Sequence, residues 1–122
     1  MAFIVWHESR NVRCMILAMV KISPEPAKRQ ELIDILLTVK GPALATSGCR
    51  SCSVYEEYDE TAVVYLELWD TEAEMKQHIR SPLYSRLLEA VELSVNSPEI
   101  TYYTIEKAAG IELIGEVRNS NV

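Results

Sequence analysis

The segment around Glu67 and His78 holds the residue types best suited to chemistry. Tyr65, Glu67 and Trp69 occupy alternate positions at the end of a predicted strand, so their side chains point to one face. Met75 and His78 are three residues apart in the predicted helix that follows, so they share one side of that helix. An imidazole with its ordinary pKa of about 6.5 can take up a proton near neutral pH. The spacing therefore allows a pocket that combines aromatic rings with a general base.

Trp69 and His78 also have purely structural interpretations. A tryptophan at the end of a strand often pins a sheet to the next helix. A histidine beside apolar neighbours is often a hydrogen-bonded residue at the edge of the core, and we expect His78 to be partly exposed. The residue types alone leave both interpretations open.

Four segments have the length and composition of β-strands. The first is a continuous apolar run, which suits a sheet covered on both faces. A polar hairpin tip at residues 59–60 joins the second to the third, and the fourth is rich in aromatic and β-branched residues. The predicted strands are residues 14–22, 49–58, 62–69 and 100–105.

Serine–proline pairs and a capping pattern predict the helices. The pair at 23–24 predicts a capped helix start, and the Gly-Pro pair at 41–42 should end or bend that helix. The pattern T-x-x-E at 71–74 is a capping box that begins a short helix. A second Ser-Pro pair at 81–82 begins a helix that should stop at 97–98. The apolar stripe of this last helix is Leu83, Leu87, Leu88, Val91 and Val95.

The order of these elements is β-α-β-β-α-α-β. It predicts an α+β fold of the ferredoxin-like, split βαβ type, with a four-stranded antiparallel sheet and helices on one face. We expect this domain to span residues 14–107, between an N-terminal extension at 1–13 and a C-terminal extension at 108–122. Residues 111–114 are apolar enough to add a short extra strand.

The predicted sheet carries large apolar side chains on both faces. In the first strand, Leu17 and Met19 alternate with Ile16 and Val20. A solvent-facing sheet would instead show a polar residue at every second position. We therefore expect a homodimer in which a second copy buries the other face, since two-fold homodimers are the commonest oligomers.

The overall composition narrows the classes of function. The net charge is −6 and the pI about 4.9, which disfavours binding to nucleic acids and to anionic membranes. No apolar run approaches the ~18 residues that span a bilayer, and the N-terminal residues lack the features of a secretory signal. The three cysteines are a sparse and odd set, as expected for free thiols, and we predict a cytoplasmic protein.

Cys49 and Cys52 form a C-x-x-C pattern in the second predicted strand. Residues three apart in a regular strand point to opposite faces, so we expect the two thiols to be separated. No second pair of metal ligands accompanies them, and the four glycines form no phosphate-binding loop. We therefore expect neither a metal nor an organic cofactor.

Five short motifs occur in an order and spacing similar to those of a known family. They are S-G-C at 47–49, V-Y-E at 54–56, E-x-W-D-T at 67–71, M-x-x-H-x-x-S at 75–81 and P-x-I at 98–100. Over roughly residues 14–107 the chain resembles the antibiotic biosynthesis monooxygenase domain, a family that includes quinol monooxygenases. The resemblance implies a dimeric α+β barrel.

The same resemblance implies a site and a reaction. In the family, a tryptophan and a histidine at this spacing face a pocket between sheet and helices. In oxygenases that lack metal and flavin, a base removes a proton from a phenol or hydroquinone, and the resulting anion reacts with oxygen. On this basis we predict His78 and Trp69 as catalytic residues. We predict Tyr65, Met75 and Glu67 as substrate-binding residues for a small aromatic or hydrophobic molecule.

Two other functions fit the same pattern. An isomerase of this fold would use His78 to move a proton on a small carbonyl compound, and a non-catalytic dimer would simply bind a small hydrophobic ligand. Haem degradation is not expected. The haem-degrading members of the family have an asparagine and a second histidine near positions that are here Ala18 or Met19 and Leu88.

Four further residues receive structural interpretations. The tyrosines could hold a planar aromatic by stacking and hydroxyl bonds, and the arginine could steer an anionic group. We expect instead packing or interface roles for the aromatic residues and a solvated position for the arginine. The residues are Tyr84, Tyr102, Tyr103 and Arg80.

Overall fold

A computed structural model describes residues 14–58 and 60–120 of the chain. The strands in this part are β1 (Met15–Ile22), β2 (Cys49–Glu56), β3 (Val63–Trp69) and β4 (Glu99–Ile105). They form one antiparallel sheet in the order β2-β3-β1-β4.

Helices connect these strands and follow the last one. A 3-10 turn at Pro26–Lys28 leads into α1 (Arg29–Leu44), and α2 (Glu72–Ile79) and α3 (Pro82–Val91) lie between β3 and β4. The last helix, α4 (Glu112–Arg118), follows β4. The predicted ferredoxin-like α+β fold is therefore confirmed. None of the helices described in residues 14–58 and 60–120 is long and apolar enough to cross a bilayer.

Strict alternation in the central strands turns one face of the sheet toward the helices. In β1, Val20 and Ile22 are buried, whereas the residues beside them in sequence are only partly buried. Leu32, Leu36 and Val39 recur at helical spacing on α1 and pack against these strand residues. Burial of apolar surface, at about 25 cal/mol per Å², is the main force that holds α1 on the sheet.

The first helical turn begins later than predicted and by a different mechanism. Ser23 does not cap it: the N-cap residue is Glu25, which makes no side-chain capping bond, and the backbone N–H of Ser23 donates to Ser94 Oγ at 3.1 Å. Pro24 forms an isolated β-bridge with Ser94. The turn starts at Pro26, whose fixed φ suits a first helical position. The serine–proline pair thus joins the end of β1 to the chain that follows α3.

Two proline signals predicted the wrong helix ends. Helix α1 continues through Pro42 to Leu44, because a proline in the last turn removes a single backbone hydrogen bond. Helix α3 ends at Val91, before the predicted stop at 97–98. Val95 is 56% exposed instead of lying on an apolar stripe, and its N–H donates to the backbone oxygen of Ser23 at 2.8 Å. Val95 therefore belongs to a tertiary contact beyond the end of α3.

The predicted extra strand at 111–114 is wrong. Ile111 precedes α4 directly. The backbone N–H groups of this segment donate to nearby carbonyl groups, such as Leu113 N–H to Gly110 O, instead of pairing with β4. The predicted N-terminal extension at 1–13 and the hairpin-tip residue Asp59 lie outside the described residues. The domain boundaries at 14 and 107 remain a prediction.

The sheet face that points away from α1, α2 and α3 is rich in apolar residues. Leu17, Leu66 and Leu68 are half-buried on this face. Tyr55 and Tyr103 lie on the same face by their pairing and are 54% and 46% exposed. This outer face is the surface that we predict, from the sequence, to be buried by a second copy.

Candidate active site

Glu67 lies in the middle of the helix-facing side of the sheet. It alternates on β3 with Tyr65 and Trp69, and the exposures of Glu67, Tyr65 and Trp69 are 2%, 0% and 0%. On the neighbouring strands it is paired with Ala18 and Cys52. The structure thus places the three β3 side chains on one buried face.

Three side chains surround the Glu67 carboxylate. Tyr65 Oη donates a hydrogen bond to Oε2 at 2.5 Å, and Trp69 Nε1 donates to Oε1 at 2.9 Å. His78 Nε2 lies 2.8 Å from Oε2. All three side chains are within hydrogen-bond distance of the carboxylate, so Glu67 is satisfied inside an apolar core.

A capped helix start places His78 over β3. The backbone N–H of Glu74 donates to Thr71 Oγ1 at 3.2 Å, and the Thr71 hydroxyl donates to the Glu74 carboxylate at 3.0 Å. From this start Met75 and His78 both turn inward, with exposures of 6% and 2%. Ser81 Oγ donates to the backbone oxygen of His78 at 2.7 Å, at the end of the helix. The predicted cap at residues 71–74 is present.

The expectation that His78 is partly exposed is wrong. Its hydrogen bond to Glu67 draws the ring into the core, where its centroid lies 4.8 Å from that of Trp69 at an angle of 34°. Tyr84 lies nearly perpendicular to the same ring, with centroids 5.4 Å apart. A planar substrate between Trp69 and His78 would need about 7 Å, twice the ~3.5 Å contact distance of carbon atoms. The space between these two rings is therefore filled by their own contact.

Hydrogen bonds keep Glu67 charged despite its burial. Burial acts to raise the pKa of the Glu67 carboxyl, but the hydrogen bonds from His78, Tyr65 and Trp69 outweigh it and hold this pKa below its usual value. Burial and the nearby Glu67 charge raise the pKa of Tyr65, so its phenol remains a donor.

The charge on Glu67 selects the tautomer of His78. A carboxylate only accepts hydrogen bonds, so His78 Nε2 carries the proton in its contact with Glu67. Nδ1 is then the ring nitrogen that can accept a proton. The described residues form no hydrogen bond with it. The arrangement can thus supply a base that a buried carboxylate orients.

Met75 contributes an apolar contact and no polar group. It forms a small buried cluster with Ile16 and Trp69. Its packing against the indole ring helps to hold Trp69 in place.

Tyr84 and Tyr102 extend the cluster toward the edge of the sheet. Their hydroxyl oxygens are 2.8 Å apart, and Tyr102 is paired with Ala18 on β1. Sequence analysis missed their position because it depends on the register of β4. Tyr103 faces the opposite side of the sheet, and Arg80 is exposed at the end of α2.

Cys49 and Cys52 lie on the same face, contrary to prediction. A β-bulge lies between Cys49 and Ser51, and the extra residue shifts the alternation of the strand by one. As a result Cys49 is paired with Trp69, and Cys52 with Glu67. Burial raises the pKa of each thiol to about 11, so both stay protonated. Within the described part of the chain, no three His, Cys, Asp or Glu residues are arranged to hold a metal ion.

The strand order and pairing define a ferredoxin-like α+β fold with the Glu67–His78 pair on the helix-facing side of its sheet. The family model for antibiotic biosynthesis monooxygenase matches residues 15–90, which is more than half of the chain. The chain therefore belongs to the antibiotic biosynthesis monooxygenase family, as its resemblance predicted.

Solved structures agree with this fold. Rv0793 from Mycobacterium tuberculosis has a TM-score of 0.72 and 25% identity, covering 79% of this chain and 99% of that one. A conserved protein from Methanosarcina mazei Go1 has a TM-score of 0.70 and 27% identity, covering 78% and 95%. A provisionally assigned antibiotic biosynthesis monooxygenase from Deinococcus radiodurans has a TM-score of 0.72 at 21% identity, covering 79% and 97%, and supports the fold alone.

A relative known by sequence is an uncharacterized protein of Synechocystis. It is 29% identical over 86 residues, which are 69% of this chain and 58% of that relative. The matched region therefore spans little more than half of the relative's length.

Proposed function

We propose that this protein is a cofactor-independent monooxygenase that oxidises a small aromatic substrate, a quinol or phenol, with molecular oxygen. The 2.8 Å contact between Glu67 and His78 carries the proposal. A buried carboxylate at one ring nitrogen fixes the imidazole tautomer and leaves the other nitrogen as the acceptor. Membership of the family supports the reaction class.

In the proposed reaction, His78 Nδ1 removes the proton from a substrate hydroxyl. The resulting phenolate supplies the electrons that reduce oxygen. One oxygen atom forms a bond to a ring carbon, and the other leaves as water, so a hydroquinone and O₂ give a hydroxyquinone and H₂O. The charge of Glu67 stabilises the imidazolium that forms when His78 takes up the proton.

Tyr65 and Trp69 support this base through Glu67. Their two hydrogen bonds help to keep the carboxylate ionised beside His78. The indole ring also contacts the imidazole and excludes water from that side. Direct contact of Tyr65, Met75 or Glu67 with substrate stays a prediction.

Oxygen uptake with 1,4-hydroquinone as substrate tests the proposal. His78→Gln keeps a donor for Glu67 but has no basic nitrogen. We expect its kcat/KM to fall roughly 10²–10⁴-fold, the usual effect of removing a general base. Gln77→Ala changes the exposed neighbour on the same helix and should keep full activity. Full turnover by a folded His78→Gln protein would refute the role of His78.

The burial of His78 changes what an alanine substitution should do. The partly exposed histidine expected from sequence would contribute little to packing. In the structure, His78→Ala leaves the buried Glu67 with one donor fewer. We therefore expect a loss of more than about 1–3 kcal/mol in the free energy of unfolding, because the unsatisfied group is charged and a cavity replaces the ring.

An isomerase is the second candidate, because the Glu67–His78 pair can equally remove a proton from a carbon beside a carbonyl group. Exchange of solvent deuterium into a small ketone, without oxygen uptake, would favour it. Tight binding of an aromatic compound with neither reaction would favour a binding module.

We also propose a homodimer formed through the outer sheet face. The half-buried leucines and exposed tyrosines of this face support it. Sedimentation at micromolar concentration should give a dimer for the wild type and a monomer for Leu66→Glu. Leu37→Glu, on the exposed side of α1, should remain dimeric. A wild-type monomer would refute the proposal. We retain the cytoplasmic location as a proposal based on the sparse cysteines.

A further inference from the structure

One row of paired residues connects the buried Glu67 to the edge of the sheet. Glu67 is paired with Ala18, and Ala18 with Tyr102, so the three side chains face the helices next to one another. Their exposures are 2%, 4% and 41% from the centre to the edge. The row therefore leads from the Glu67–His78 pair to solvent.

Ala18 is a short side chain at a position where its neighbours are large. Ile16 and Val20, on the same face of β1, belong to two separate hydrophobic clusters, and Ala18 belongs to neither. Neighbouring strands lie about 4.7–4.9 Å apart, so roughly 10 Å separates the strands of Glu67 and Tyr102. Between those two residues the sheet offers only a methyl group. A single aromatic ring is short enough to lie over this interval.

Tyr84 of α3 spans the same interval. Its ring lies nearly perpendicular to the His78 ring, with centroids 5.4 Å apart, and its hydroxyl oxygen lies 2.8 Å from that of Tyr102. Tyr84 is 7% exposed, so its ring closes the row between the buried pair and the edge. Its phenol ring also makes the contacts that a phenolic substrate would make, with the ring at the imidazole and the hydroxyl at Tyr102.

We propose that a single-ring hydroquinone binds over Ala18 when Tyr84 rotates outward. One substrate hydroxyl then takes the place of the Tyr84 hydroxyl at Tyr102, and the other lies at His78. Two hydroxyls at opposite ends of one ring match the two ends of the row. The inference rests on the proposed function for the reaction that follows, but it concerns binding alone.

Binding of 1,4-hydroquinone without oxygen tests this site. The indole N–H signal of Trp69 reports binding by NMR in a Trp6→Phe background, which leaves one tryptophan. Ala18→Leu fills the interval, and we expect at least a tenfold loss of affinity. Tyr102→Phe removes one neutral hydrogen bond, and we expect a loss of roughly 2–10-fold.

Two controls make the test specific. Met19→Leu changes the next residue on the opposite face of β1 and should bind hydroquinone as the wild type does. The two-ring compound 1,4-naphthohydroquinone should bind more weakly than the one-ring compound. Unchanged affinity in a folded Ala18→Leu protein overturns the site, and so does a wild type that binds no hydroquinone.

If Ala18→Leu does not fold, the affinities of Ala18→Val and Tyr102→Phe for 1,4-hydroquinone test the site instead. Unchanged affinity in both variants overturns the site. Binding that depends on Ala18, with no oxygen uptake by the wild type, supports the site and refutes the monooxygenase. Oxygen uptake with unchanged affinity in Ala18→Leu refutes the site and leaves the monooxygenase standing.

Discussion

Replacing Glu67 with glutamine tests the centre of the site without changing its volume. The carboxylate accepts from three donors, Tyr65, Trp69 and His78. A glutamine side chain offers one acceptor oxygen and one donor nitrogen. At least one of the three contacts must therefore reverse its direction or be lost.

The two orientations of the amide place different hydrogen-bonding groups against Trp69, Tyr65 and His78. With its nitrogen at the Oε1 position, the amide would face the Trp69 N–H, which cannot accept a hydrogen bond. With its nitrogen at the Oε2 position, the Tyr65 hydroxyl can turn to accept, and His78 can accept at Nε2 once its proton moves to Nδ1. The second orientation gives both amide hydrogens an acceptor and keeps the Trp69 contact. We therefore expect Glu67→Gln to fold with His78 in the other tautomer, which has no basic Nδ1.

The expected loss of stability follows from the change of charge. Hydrogen bonds to a charged group contribute about 1.5–3 kcal/mol and neutral ones about 0.5–1.5 kcal/mol, so three exchanges lower the free energy of unfolding by about 3–4.5 kcal/mol. Urea denaturation at pH 7 measures this loss. The exposed Glu89→Gln should stay within about 0.5 kcal/mol of the wild type.

The nitrogen-15 shifts of His78, in a His7→Gln background, identify the tautomer. Activity should fall about 10⁴-fold, the effect known for a triad histidine held in the wrong tautomer. A Glu67→Gln protein of wild-type stability, with the proton still on Nε2, would refute this reasoning.

The same variant should show a defined pH dependence. Because the folded-state pKa of Glu67 is lowered, its contribution to stability is complete above the unfolded value of about 4.3 and is lost as the pH falls through the folded pKa. Glu67→Gln lacks this contribution. The stability difference between the two proteins should therefore shrink below about pH 4.3, and a difference that grows on acidification would contradict the assignment.

Three further outcomes are expected. Trp69→Ala should lower the free energy of unfolding by roughly 3–5 kcal/mol because its side chain is 0% exposed, and a loss below about 1 kcal/mol in urea would contradict this. Gly48→Ala should destabilise the protein by about 1–3 kcal/mol, since Gly48 has a φ of +88° and a Cβ would lie 2.2 Å from the Glu74 side chain. Thermal unfolding measures this loss, and Gly41→Ala is the control, because a Cβ at Gly41 would meet nothing within 4 Å. The two C-x-x-C thiols, with pKa values of about 11, should react with iodoacetamide at pH 7.5 roughly 300-fold more slowly than a thiol of pKa ~8.5. A Cys14→Ser background isolates them, and rapid alkylation would contradict their burial.

Features that depend on local spacing could be predicted from the sequence. Alternation along β3 placed Tyr65, Glu67 and Trp69 on one face, and the Thr71 cap placed the next helix at its start. Both are set by neighbours within four residues. The element order follows from several such signals, so the fold could be predicted from the chain alone.

Features that depend on distant partners could not be predicted in this way. The bulge beside Cys49 exists only through pairing with β3, and it moved a thiol to the other face. The burial of His78 depends on a charged acceptor eleven residues away. Ser23 has a capping residue type, but its N–H bonds Ser94 across the fold. In each case a tertiary contact outweighed a local preference.

The burial of the Glu67–His78 pair is not explained by stability. Apolar residues of similar size would fill the same space without removing a charge from water, and such replacements in other proteins are often neutral or stabilising by about 1–4 kcal/mol. Here the buried carboxylate also accepts hydrogen bonds from two further side chains, Tyr65 and Trp69. The proposed role of His78, a base held in one tautomer, accounts for the arrangement. It requires a charged acceptor at Nε2, dry surroundings that keep this contact strong, and a second nitrogen left for the substrate.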